Sequence, residues 1–368
     1  MLSVQKRVNL IIISLKVLGY DPSSVNRKWR VSTFLWWFYL LNNVILLLLT
    51  IFTMFSAISD ADKDIMTMSL TTIELRTFTE LVTILLNYKY KINQFRILIQ
   101  LMKNDVNDKT FTVGSKHVIK YVKISFLILA LYLIVIYVYI NNFEWQNDKK
   151  SLSTAIYPFK LDSTLKKLLI LTHQLVILVH SSSTFIFDGI IALLIYTCTV
   201  RLIILKDNLK TSKDSKFKQL IHEHQEILKL IDSVNDFISY LVAKTAFSFV
   251  SSAISAFVQL IQQKSLKGMA LEYLIVVAFG LRILVCAESA EDLAVCNENI
   301  QNEIYSSLWS TKNRGIVVSK LIMMRRCQGI PKICIKGTFI STLNREYIKH
   351  ILKTIFLYFV AMRAIMSR

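Results

Sequence analysis

FLWWFYLLNNVILLLLTIFTMF, residues Phe34–Phe55, is an unbroken apolar run without a charge, and it decides the class of fold. Crossing about 30 Å of hydrocarbon takes roughly 20 mainly apolar residues in a helix. The run shows no period-two alternation, so a β-barrel strand is excluded. A second run, LLILTHQLVILVHSSSTFIFDGIIALLIYTCTV over 168–200, repeats the signal. Working outward, further windows fall at 65–87, 121–141, 246–263, 269–289 and 346–366, giving seven expected spans. The composition agrees: 54% of the 368 residues are hydrophobic and 19% charged, and mean hydropathy is +0.47. Eight Gly and three Pro leave little material for turns, so long helices should dominate. The expected fold is an all-α integral membrane protein.

Lys and Arg sort the ends of these spans. With the N-terminus in the cytoplasm, the inner segments carry 29 Lys and Arg and the outer ones 10. Excess basic residues mark the cytoplasmic face, so the N-terminus is read as inside and the C-terminus as outside. The net charge of +19 is then topology; no basic patch interleaved with aromatics points to nucleic acid. Residues 1–33 form a cytoplasmic segment whose stretch from Lys6 to Tyr20 suits an amphipathic interfacial helix better than a signal peptide. Residues 34–200 hold spans one to four, 201–245 a cytoplasmic helical extension, and 246–289 spans five and six. Residues 290–345 form a second cytoplasmic helical region and 346–368 the seventh span.

The two cytoplasmic regions have the marks of an assembly (anchor) domain. Leu220, His224, Ile227, Ile231, Val234, Ile238 and Leu241 recur at four-three spacing, a heptad seam in a helix over 214–245. His224, its polar member, reads as a partly exposed seam residue, with register-fixing or pairing with a neighbouring chain as the alternative. Arg314–Cys327 is a second apolar-faced helix, stopped by Gly329 and Pro331. Such faces predict packing within or between subunits.

Enzymatic chemistry has no support. The closest glycines, Gly329 and Gly337, are too far apart for a phosphate loop. HEHQE at 222–226 is not a zinc-hydrolase motif, and no serine sits in GxSxG. Cys198, Cys286, Cys296, Cys327 and Cys334 all fall at or beyond the inner face, so free thiols are expected and neither metal nor cofactor is implied. Arg76 and Glu80, four apart, read as a compensating pair within one helix; Glu74 and Arg282, without a local partner, are expected to meet across the bundle, as a structural tie or as part of a water-filled path.

The C-terminal third is more specific. NEIYSSLW (302–309), KLIMMRRCQGIPKICIKGTFISTLN (320–344) and TIFLYFVAMR (354–363) resemble the C-terminal signature of insect odorant receptors. The resemblance rests on Tyr305 and Trp309, Arg325 and Arg326, Pro331, Gly337, and the Tyr358-Phe359 pair with Arg363. FDGIIALLIYTC in the fourth span, HEHQEILKLIDSVNDFIS and LGYDP near the N-terminus are similar to the same family. Gustatory receptors, which end their last span differently, and the co-receptor, with its longer fourth-to-fifth loop, resemble it less. The resemblance implies an odorant-gated, non-selective cation channel in the dendritic membrane of an olfactory neuron. A tuning subunit there binds a small volatile ligand and joins a shared co-receptor in a heterotetramer. It also implies a pocket in the outer halves of spans two, three, four and six. Those halves hold Met68, Thr72, Ile73, Leu131, Ile134, Tyr137, Thr172, His173, Val176, Tyr273 and Val277. On the last span Thr354, Tyr358, Ala361 and Ile365 share one helical face, three of the four small or hydroxyl-bearing, and this face is expected to line a pore; the family's apolar gate position falls on Ala361. A metabotropic receptor or a secondary transporter would be the other classes. The first needs a cytoplasmic C-terminus, and the second would show an internal repeat.

Overall fold

A computed structural model describes residues 4–20, 30–59, 65–107, 123, 130, 134, 156–157, 163–211, 217–262, 266–308, 313–329, 332–335 and 342–366. These residues fold into helices: α1 (Val4–Val17), α2 (Arg30–Ser59), α3 (Ile65–Tyr90), α4 (Ile92–Asn107), α5 (Thr164–Thr211), α6 (Phe217–Gln262), α7 (Leu266–Leu308), α8 (Arg314–Gln328) and α9 (Arg345–Met366). Among the described residues the only β-pairing is an isolated antiparallel bridge between Cys334 and Thr342. The third expected span, 121–141, lies outside the described residues except for positions 123, 130 and 134.

Among the described residues, three helical stretches are long and apolar enough to cross a membrane: Thr33–Ile58, Thr164–Thr211 and Phe217–Val258. The physical trace is clearest on α2. Phe34, Trp37, Leu41, Ile45, Leu48, Phe52, Phe55 and Ile58 form an exposed stripe at three- and four-residue steps. At 1.5 Å per residue it spans about 36 Å, enough to cross a hydrocarbon layer. A stripe of this size facing water would drive aggregation; facing lipid it is stable.

The helices α5, α6 and α7 have 48, 46 and 43 residues, about 65–72 Å each. They are therefore longer than a membrane is thick, and each continues from an apolar stretch into a polar one without a break. The core centres on α5, where every residue from Phe187 to Val200 is buried against its neighbours. The heptad seam of α6 is packed inside the same chain. Leu220, His224, Ile227, Ile231, Val234, Ile238 and Leu241 are all buried. His224 is 1% exposed, which corrects the expectation of a partly open position. What stays open is the outward face of α8, with Val318, Leu321 and Ile322 exposed.

Two local devices set the chain ends. Helix α1 buries Val8, Ile11, Ile12 and Leu15 and packs on α4 and α5, leaving Leu10, Ile13 and Val17 exposed. It closes in a Schellman motif: Tyr20 N–H donates to the Leu15 carbonyl (2.8 Å) and Gly19 N–H to that of Lys16 (3.1 Å). Gly19 has φ +86° and its Cα faces the backbone of α2, so a side chain there would be strained and crowded. At the other end, Asn344 caps α9 by accepting from Tyr347 N–H (2.8 Å), and Arg345 clamps Glu288 of α7 through two bonds of 2.8 and 2.9 Å.

Candidate functional site

Four charged side chains from four helices meet inside the bundle. Arg282 of α7 lies 2.6 Å from Glu80 of α3 and pairs through Nε with Asp188 of α5. Lys244 of α6 stands 3.4 Å from the same Glu80 oxygen and donates to the Glu80 carbonyl at 3.0 Å. Thr245 Oγ1 adds a 3.3 Å bond to Asp188. Two carboxylates face two cations, so the set is neutral, which is what permits its burial: Arg282 is 1% and Glu80 2% exposed. The guanidinium of Arg282 lies over the rings of Phe185 (5.0 Å) and Phe279 (4.8 Å), and Arg76 covers Phe279 at 4.5 Å. Arg76 also donates to the Ser248 carbonyl of α6. Arg76, one turn away in α3, still adds its charge to the surroundings of Glu80, but the direct partners of the carboxylate are Arg282 and Lys244 rather than the expected Arg76, and Arg282 meets Glu80 and Asp188 rather than the expected Glu74. Glu80 turns to Arg282 and Lys244, because a ring and a carbonyl serve Arg76 while two cations on other helices reach the carboxylate. Sequence reasoning also missed Asp188 and Lys244. An aspartate inside the 168–200 apolar run was the available signal for the first; nothing marked the second, which sits at the polar end of a span.

A second polar node holds the N-terminal segment. His180 of α5, fully buried, receives an N–H of the Asn43 amide at Nδ1 (3.0 Å) and faces the Tyr20 hydroxyl from Nε2 (3.3 Å). Asn43 Nδ2 also donates to the Tyr39 carbonyl (2.7 Å), which fixes the amide's orientation. Nδ1 must then be an acceptor, so the neutral ring carries its proton on Nε2 and donates it to Tyr20. The ring stacks on Tyr39 at 4.3 Å.

Of the residues expected to line a ligand pocket, Met68, Thr72 and Ile73 lie on α3, Thr172, His173 and Val176 on α5, and Tyr273 and Val277 on α7. Leu131 and Tyr137 lie outside the described residues, and Ile134 is exposed. Thr72 donates to the Met68 carbonyl and Thr172, exposed, to that of Leu168. Val277 is exposed, while Met68, Thr72 and Val176 are half-buried. His173 gathers polar partners: its Nδ1 lies 3.1 Å from the Tyr157 hydroxyl, which receives an N–H from Gln174 at 3.4 Å. Tyr157 and Gln174 were not among the expected residues. Tyr157 precedes the helix in a stretch without periodicity, so no pattern could reveal it.

On α9, Thr354, Tyr358 and Ala361 are exposed together; the side chain of Ile365 is outside the described set. The helix is held by a narrow stripe, Tyr347, Ile348, Ile351 and Ile355, continued by Phe359 against Phe257 at 4.6 Å. It packs chiefly on α6 and α7, and the rest of its circumference is open.

At the polar end of α6, the His224 ring meets the Cys327 thiol of α8 at 3.6 Å, both buried. Burial, with Arg326 nearby, pulls His224 down to about 4, and burial pushes the Cys327 thiol up to about 11. The groups are therefore neutral and inert near pH 7. Among the described residues no cluster of His, Cys, Asp and Glu could hold a metal ion.

The profile described as "7tm Odorant receptor" matches residues 64–356 of this chain. Among solved structures, the insect olfactory receptor OR5 from Machilis hrabei superposes with a TM-score of 0.77 at 14% identity, covering 97% of each chain. The same receptor in complex with eugenol also gives 0.77, at 15% identity over 98% of each. At such identities these two establish the fold. Comparison with curated protein sequences gives no match.

Proposed function

Because the chain belongs to the seven-transmembrane odorant receptor family, we propose that it is the odorant-binding subunit of a ligand-gated, non-selective cation channel. The subunit assembles with a co-receptor as a heterotetramer in the sensory-neuron dendrite. It crosses the membrane seven times, with its N-terminus in the cytoplasm and the 29-to-10 distribution of Lys and Arg in support. The observation that carries the reading is the agreement of two likenesses: the family profile over 64–356 and the fold over nearly the whole chain.

Three parts of the reading, the pore face, the assembly surface and the ligand site, draw support from the geometry. A channel built around α9 needs that helix to present a face away from its own bundle, and Thr354, Tyr358 and Ala361 are exposed on it. Assembly through cytoplasmic helices needs an uncovered apolar surface, and α8 offers Val318, Leu321 and Ile322. A ligand between α3, α5 and α7 would meet Met68, Thr72 and Val176, with the polar set of His173, Tyr157 and Gln174 one turn from Val176, which suits a small volatile molecule held mainly by dispersion and by a few hydrogen bonds. Eugenol, bound by the relative, is a molecule of that class.

The test is a panel of volatile compounds applied to cells expressing this chain alone, with the co-receptor, and the co-receptor alone. Inward current evoked only in the co-expressing cells is the expected result. Odorant responses equal in size without the co-receptor would refute the assembly, and none in any cell that displays the chain on its surface would refute the receptor reading.

A further inference from the structure

The buried charge cluster lies where two halves of the proposed machine meet. Glu80 and Asp188 belong to α3 and α5, which carry Met68, Thr72 and Val176 of the proposed pocket. Lys244 and Arg282 belong to α6 and α7, the two helices on which α9 chiefly packs. Thr72 lies eight residues above Glu80, about 12 Å along α3, and Val277 five residues from Arg282, about 7 Å along α7. A ligand that wedges α3 and α5 apart from α7 therefore acts directly on the Arg282 contacts.

Two properties make the cluster a switch as well as a tie. Charge pairs with almost no water around them cannot loosen gradually, so helices joined by them move together or exchange partners. Exchange is open to this one: Nη1 of Arg282 is buried without a hydrogen-bond partner, a spare donor beside two carboxylates. Thr245, which holds Asp188 through its hydroxyl, directly follows Lys244, so both carboxylates are tied to one turn of α6.

We propose that Glu80, Asp188, Lys244 and Arg282 are positioning residues that couple ligand binding to the pore helix, through the contact between α3 and α5 on one side and α6 and α7 on the other. This rests on the odorant-gated channel reading. The cluster touches neither odorant nor ion. Weakening it shifts the balance of closed and open states for every ligand by one factor.

The experiment uses the full chain with the co-receptor, and currents normalised to surface labelling. The probes are the strongest aromatic and the strongest aliphatic activators of the volatile panel. Lys244→Met removes the most accessible member and Glu80→Gln keeps the shape while removing a charge; Lys244→Arg is the conservative control. Both neutral variants should move the half-maximal concentration for the two activators by the same factor, about 5-fold or more, the lower end of ordinary coupling between sites. Current without odorant should change as well, and Lys244→Arg should restore wild-type behaviour. Unchanged half-maximal concentrations at normal surface density would overturn the proposal. So would a shift for one activator only, which marks a ligand contact, or loss of both neutral variants from the surface while Lys244→Arg arrives, which marks a purely structural tie. Silence of the wild-type pair to all odorants would instead remove the channel reading itself.

Discussion

Replacing His180 with Leu should destabilise the folded chain by about 3 kcal/mol. The variant removes the bonds from Asn43 (3.0 Å) and to Tyr20 (3.3 Å), each contributing about 1 kcal/mol in a buried setting. It also removes the stack on Tyr39 at 4.3 Å, about another 1 kcal/mol. Leucine fills most of the volume, so a cavity contributes little. Tyr20→Phe removes one of the same bonds and should cost about 1 kcal/mol. Combined with His180→Leu it should add little, because the bond is already gone. The protein provides its own reporter: Cys198, Cys286, Cys296 and Cys327 are buried free thiols and Cys334 is partly exposed. A thiol-reactive fluorophore in detergent thus reads unfolding as a rise above the Cys334 baseline. At roughly 2.1 cal/mol/K per residue of unfolding entropy, 3 kcal/mol corresponds to a fall of about 4 °C in Tm. A His180→Leu transition within 1 °C of wild type, or fully additive effects of the two variants, would refute the bridging geometry of His180.

Other predictions follow from exposure and charge. Leu321→Asp and Ile322→Asp on α8 should fold yet lose co-purification with the co-receptor, whereas Ile231→Asp, at 1% exposure, should abolish folding; preserved assembly in the α8 pair would move the interface elsewhere. Ala361→Trp or Tyr358→Lys should alter conductance or ion selectivity and leave odorant rank order intact, and a changed rank order with wild-type conduction would remove α9 from the pore. His224 has a folded pKa near 4, below its ordinary 6.5, so the unfolded chain binds the proton first and stability falls as pH drops from 6.5 toward 4. Between pH 7 and pH 5 the loss should be about 2 kcal/mol; His224→Leu should lack that component, and an identical pH dependence in both proteins would contradict the burial.

The parts of the fold written as long apolar runs were readable. Phe34–Phe55 lies inside α2 and 168–200 inside α5. Helix beyond the apolar windows was expected over 201–245 and 290–345; that α5, α6 and α7 run into those regions without a break was harder to see, because hydropathy ends at the membrane surface while backbone hydrogen bonding does not. Helix α4 went unread although Phe95, Leu98, Ile99 and Met102 carry the three-four spacing; the segment falls between the second and third expected spans, where only its Lys and Arg entered the count. The seam of α6 was legible as a pattern, yet a pattern does not say which chain covers it, and here the same subunit does. The charge cluster shows the sharpest limit. Spacing along one helix suggested Arg76 with Glu80, and only the tertiary packing brings Arg282 and Lys244, 202 and 164 residues away, to that carboxylate. Tyr157 at His173 is likewise a contact between a non-periodic stretch and a helix.

The central claim, that this chain and its partner are themselves the odorant-gated pore, is tested most directly in excised outside-out patches with nucleotide-free solution in the pipette. Odorant should open discrete cation currents within milliseconds of reaching the extracellular face, with Na⁺ and K⁺ passing at similar rates. Currents that vanish on excision and return only with GTP or a cyclic nucleotide would contradict it.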